Sequence, residues 1–208
     1  MWNEITVNQA QKLDLIRKEI KEGETVIEVE SKMLAVIIET TIDKIDSLSL
    51  EDFTRLKKKL LFLDTEIGGQ PSKFIQLGEK RYRCIYDIRQ MPFARYVEGK
   101  TFSVDFVQNI HKIAATMVMP QKRGFFGWVD VKYNAIDHDK YASDMLKAPY
   151  QIVYNSCLFF CKVFINWMGS SKDYLINHLQ SRGMTKAEAE KEVNHLWLTL
   201  DGILQPNK

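Results

Sequence analysis

Two thiols, one acidic–histidine triplet and a cluster of three aromatic rings are the residues of this chain whose types and spacing could do chemistry. Cys157 and Cys161 stand one helical turn apart, which places both sulfurs on one helix face. Two thiolates at that spacing hold a metal only with ligands from elsewhere, and the chain contains neither CxxC nor HExxH. The expectation is burial, with both behaving as small hydrophobes. Cys84 makes the number odd, which reads as free thiols in a reducing compartment rather than a disulfide framework. In Asp137-His138-Asp139 alternate side chains diverge unless the loop curls, and no glycine-bearing calcium loop surrounds them. A solvated loop in which Asp139 caps the next helix is expected. His111, His178 and His195 are scattered, and the glycines build no phosphate-cradling loop between strand and helix. No catalytic, cofactor-binding or metal-binding residue is assigned, and the chain is expected to be a binding protein, not an enzyme.

The aromatic cluster is the more informative one. Lys122 and Arg123 lead into Gly124, and Phe125, Phe126 and Trp128 follow in a stretch with no helical period. Aromatics and arginine anchor protein interfaces, and rings beside cations also suit single-stranded nucleic acid. A loop folding back to plug the core is the third reading. A second candidate surface is basic. Residues 73–100 carry seven positive side chains against three negative, net +4 in a chain of net +2. Lys80, Arg81 and Arg83 would form a basic face there, or else a solvated hairpin.

These residues need elements to hold them. A chain of 208 residues that is 45% hydrophobic and 11% aromatic can bury a core. Thr6 and Gln9 form a capping-box pattern before Leu13, Ile16 and Ile20. A second helix is expected over residues 25–38, and a third from the Ser49/Asp52 cap to Leu63, after a linker over residues 40–49. Together they suggest an N-terminal helical unit over residues 1–66. Gly68-Gly69-Gln70-Pro71 reads as loop, and residues 71–208 as a hairpin followed by a second helical unit. Residues 74–77 and 81–86 around Gly78-Glu79 predict a β-hairpin. Helices are expected over 103–119, 139–146, 150–168 and 171–179, with residues 121–139 irregular. Thr185 and Glu188 cap a last helix with Val193, Leu196, Trp197, Leu200 and Leu204 on one face. The fold class is mainly α (α+β): a multi-helix protein with a small β-hairpin in the middle. Residues 150–168 are apolar, but Lys162 near their middle argues for a core helix over a membrane span. The first residues have no basic-then-apolar leader pattern.

The order of several elements resembles a known group. Ile5-Thr6-Val7-Asn8-Gln9-Ala10-Gln11 leads into a helix, and residues 48–63 supply a leucine–acidic–Phe helix. The hairpin around Gly78-Glu79-Lys80-Arg81-Tyr82, a helix ending in Met119-Pro120, Lys132-Tyr133-Asn134 and Phe159-Phe160 follow. Over roughly residues 5–165 this resembles small virion-associated, tail-assembly-chaperone-like proteins of tailed bacteriophages. The resemblance implies a non-enzymatic role in particle assembly, or as a minor structural or cargo component of the head–tail region. It implies other phage structural or assembly proteins as partners, no cofactor and no membrane, and a location in the host cytoplasm and the virion. The alternative is a nucleic-acid-associated protein using the basic hairpin face and the aromatic loop.

Overall fold

Thr6 and Gln9 open α1 (Val7–Lys18) by reciprocal capping. The Gln9 amide donates to Thr6 Oγ1 at 3.2 Å, and the Thr6 amide donates to Gln9 Oε1 at 2.8 Å. The computed structural model describes residues 1–87 and 105–203, with side chains 164, 165, 167–169, 171 and 195–203 excepted. Thr25 and Glu28 cap α2 (Val26–Ile37) in the same way. The expected linker contains a short helix, α3 (Ile42–Asp46), and Ser49 caps α4 (Leu50–Lys57) by accepting from the Asp52 amide. At Lys58 the α-helix tightens into a 3-10 segment (Lys58–Asp64), so the third helix ends earlier than its periodicity predicts. Residues three apart eclipse in that geometry, which turns Leu60 and Leu63 together into the core.

The hairpin forms as expected, from β1 (Phe74–Leu77) and β2 (Lys80–Cys84). It is half of a larger sheet. The helix expected to run to Met119 is α5 (Phe106–Met117), and its chain passes directly into β3 (Val118–Gly124) and then β4 (Gly127–Asp130). The segment expected to be irregular therefore completes a four-stranded antiparallel meander, β1-β2-β3-β4. Pro120 disguises β3, because proline cannot donate to a ladder. Its carbonyl accepts from the Val131 amide at 2.8 Å. The missing N–H points the same way, just past the end of β4, where no ladder bond is lost.

A 3-10 turn (Ala135–Asp137) leads into α6 (His138–Met145), followed by α7 (Tyr150–Ser181) and α8 (Lys186–Ile203). The two helices expected over 150–179 are one helix of 32 residues. Thr185 and Glu188 make the expected capping contacts before α8. Val193 on α8 is buried; the Trp197 side chain and Leu204 lie outside the described part. None of the described helices is long and apolar enough to cross a membrane.

One core gathers Val7, Leu34, Ile75, Ile110, Met117, Met145, Val153 and Phe160. The first amides of α1, from Val7 and Asn8, donate to the Ala148 and Leu146 carbonyls just past α6, both at 2.9 Å. Orphan groups at two helix ends thus satisfy each other. The Gly68–Pro71 loop is fastened to α7, where Gln151 and Asn155 side-chain amides donate to the Gly68 carbonyl at 2.7 and 3.0 Å. The fold is mainly α with a sheet laid across α6 and α7: Tyr82 meets Tyr141 of α6, and Tyr86 meets Phe159 of α7.

Candidate partner-binding surface

Alternation along the strands divides the sheet into two faces. Ile75, Tyr82, Cys84 and Val118 turn inward and are buried. Phe74, Arg81, Arg83, Gln121, Arg123, Trp128 and Asp130 turn outward, with Arg81 opposite Gln121, Gln121 opposite Asp130, and Arg123 opposite Trp128.

The β3–β4 turn is Phe125-Phe126, closed by paired Gly124 and Gly127. Two-residue hairpin loops favour turns with positive φ, but neither phenylalanine adopts one; Gly127, at φ +123°, supplies the reversal. The two rings touch edge-to-face at 5.0 Å between centroids, and they are 96% and 99% exposed. This excludes the core-plug reading: the aromatic segment is the protruding tip of a hairpin. Lys122 and Arg123 flank it and are exposed, while Trp128 is half-buried. The hairpin signal was present in the sequence as two glycines separated by two residues, masked by the bulk of the residues between them.

The three predicted basic residues do not form one face. Lys80 reaches past the inner side to α6, where its ammonium donates to both Asp144 carboxylate oxygens at 2.8 Å. Tyr82 Oη donates to the same carboxylate at 2.5 Å. Burial on its own would raise the Asp144 pKa, but donation from Lys80 and Tyr82 outweighs it and holds the carboxyl below its ordinary range. Burial, together with the bond to Asp144, pushes the Tyr82 phenol far up. On the outer face Arg83 donates to Asp130 through Nε and Nη2, the latter at 2.6 Å. This bond is the main reason that Asp130 is lowered and Arg83 raised. Arg81 differs from both. Its guanidinium carbon lies 3.8 Å from the Phe74 ring centroid and 5.5 Å from that of Trp128, and it has no carboxylate partner among the described residues. Arg89, Arg95 and Lys100 of the basic segment lie outside the described residues.

No match to the chain was found among protein-family models, curated proteins or solved structures.

The other candidates go to structural roles. His138 is buried with Nε2 3.4 Å from Thr116 Oγ1. Asp139 lies in the first turn of α6 and does not cap it. The Cys157 thiol donates to the Ile110 carbonyl at 3.7 Å, and burial raises all three thiols, Cys84 to about 11. Thiols held in the neutral form are poor nucleophiles and poor metal ligands. Among the described residues no cluster of three or more His, Cys, Asp or Glu could hold a metal ion. A groove of about 530 Å³ lies between α1 and α7, lined by Trp2, Leu13, Asp14, Val107, Tyr150 and Tyr154. Of its two carboxylates, Asp14 and Glu66, Asp14 is held by Lys18 at 2.8 Å and Gln108 at 2.7 Å.

Proposed function

We propose that the protein works by binding rather than catalysis, holding another protein chain on the tip of the β3–β4 hairpin. The observation that carries this reading is the near-complete exposure of Phe125 and Phe126 at the end of a paired two-stranded support. Burying a ring of that size is worth about 1.5–3 kcal/mol, so a partner pocket accepting both gains a large anchor without reshaping the hairpin. The resemblance to virion-associated proteins of tailed bacteriophages supplies the setting: assembly of the particle in the host cytoplasm, with other structural or assembly proteins as partners. The test is Phe125→Ala with Phe126→Ala in particle-producing cells. Loss of association with particle proteins, at an unchanged unfolding midpoint, supports the reading. Unchanged association overturns it.

Among the described residues the nucleic-acid alternative keeps two cations without a carboxylate partner on the outer face, Arg81 and Arg123, beside Phe74 and Trp128. Lys80 and Arg83 are already neutralised by Asp144 and Asp130. Phosphate binding weakens steeply with salt, whereas a ring-anchored protein contact does not, so a salt titration separates the two.

A further inference from the structure

Arg81 is the one guanidinium on the described sheet that lies over two aromatic rings while its N–H groups have no partner among the described residues. Phe74 on β1 and Trp128 on β4 lie over it from the two outer strands, and the residue is half-buried. Rings stacked on a guanidinium displace water from its faces and hold its plane. Two parallel N–H groups of one guanidinium edge then meet a ligand, in the fork geometry that fits a carboxylate through two parallel bonds. The neighbouring Arg83 shows what such an edge takes in this sheet, since Asp130 fills it.

We infer that Arg81 is the specificity-determining residue of the outer face, and that it takes the carboxylate of an aspartate or glutamate on the bound protein segment. The inference rests on the reading of the hairpin tip as a protein-binding site, and it names the chemistry of the partner: an acidic residue a few positions from the apolar residues that cover Phe125 and Phe126. The register fixes that spacing. The Arg81 backbone stands opposite Gln121, four residues before Phe125 in the β3–β4 turn, so the two backbone levels are about 13 Å apart at the rise of a strand. An extended segment of four or five residues bridges them. Arg123 lies between the two and adds a second positive charge facing the same segment. A polynucleotide fits the face less well. Its evenly repeated phosphates need a track of free cations, whereas the described face offers Arg81 and Arg123 with the Asp130 carboxylate beside them.

The probe is a random dodecapeptide library panned on the full chain, on Arg81→Lys, on Arg81→Gln and on the Phe125→Ser/Phe126→Ser double variant. The expected result is enrichment of peptides that join Asp or Glu to apolar residues. A selected peptide should bind at least about tenfold more weakly to both Arg81 variants, the loss that goes with one charge-assisted bond. Lysine keeps the charge but lacks the fork, so full binding by Arg81→Lys would overturn the inference. Enriched peptides without acidic residues that still need the tip would overturn the role of Arg81 and leave the tip reading intact. No enrichment, or enrichment indifferent to the tip variant, would overturn both. Binding of a 20-nucleotide oligothymidine that falls with Arg81→Gln would assign the face to nucleic acid instead.

Discussion

On the inner side of the sheet Lys80, Tyr82 and Asp144 close on one another, whereas on the outer side Arg81 lies over two rings and has no carboxylate partner among the described residues. The two sides use the same chemistry: a cation, an aromatic ring and the scope for a carboxylate. They differ in that both inner donors have a carboxylate of this chain, whereas on the outer side Asp130 meets Arg83 and leaves Arg81 without one among the described residues. Burial explains the inner arrangement, because Tyr82 is 3% exposed and an unmatched polar group at that depth is costly. Water relieves the outer face of that constraint, so an incomplete set is tolerated there. Incompleteness at a pre-organised group is what distinguishes a binding surface from a structural network.

Four changes would break or sharpen this contrast. The largest effect is expected from Ile75→Ala. Ile75 is wholly buried on the inner face, so truncation should lower unfolding stability by about 2–5 kcal/mol in thermal or urea denaturation. A loss below about 1 kcal/mol would mean that the inner face is not packed as described. Asp144→Asn comes second. It removes the charge that Lys80 and Tyr82 share and should cost about 1–3 kcal/mol.

The same carboxylate predicts a pH dependence. Its folded pKa lies below its ordinary value of 3.8, so its contribution to stability is fully present above that value. It is lost as pH falls through the folded pKa. Native protein should therefore lose stability below about pH 4 more steeply than Asp144→Asn, and parallel profiles would remove Asp144 from the account.

Breaking the exposed Arg83–Asp130 pair with Asp130→Asn should cost only about 0.2–1 kcal/mol, less still at high salt. A larger loss would show that the outer face carries structure as the inner one does. The smallest effect belongs to the tip. Phe125→Ser with Phe126→Ser should leave the unfolding midpoint nearly unchanged, within about 0.5 kcal/mol, because both rings already stand in water. Marked destabilisation would return those rings to the core and remove the binding surface.

Local chemistry was legible wherever two residues near in sequence settle the matter between themselves. Thr6 with Gln9 and Thr185 with Glu188 define helix starts by bonds that span three residues. Gly78-Glu79 between alternating runs marks the first hairpin, and the period of two puts Tyr82 and Cys84 on one face and Arg81 and Arg83 on the other. Ile85, expected with the arginines, is buried because β2 ends at Cys84. The mainly α class with a hairpin in the middle follows from such elements. The second hairpin was missed because Pro120 and a run of bulky rings hide its alternation, and because α5 passes into β3 without a turn residue. The helices expected over 150–168 and 171–179 are carried through as one by α7.

The amino-acid sequence by itself determined the caps, the first hairpin, the alternation that sends Tyr82 inward and Arg81 outward, and the free state expected of three cysteines. Tertiary structure decided which charges remain available. Lys80 finds Asp144 across 64 residues and Arg83 finds Asp130 across 47, and nothing near either basic residue in sequence announces its partner. Tertiary structure also placed Phe125 and Phe126 in solvent, since whether a ring is buried depends on what packs over it. Covalent spacing fixes the direction of a side chain, but its partner is fixed only when distant segments of the chain meet.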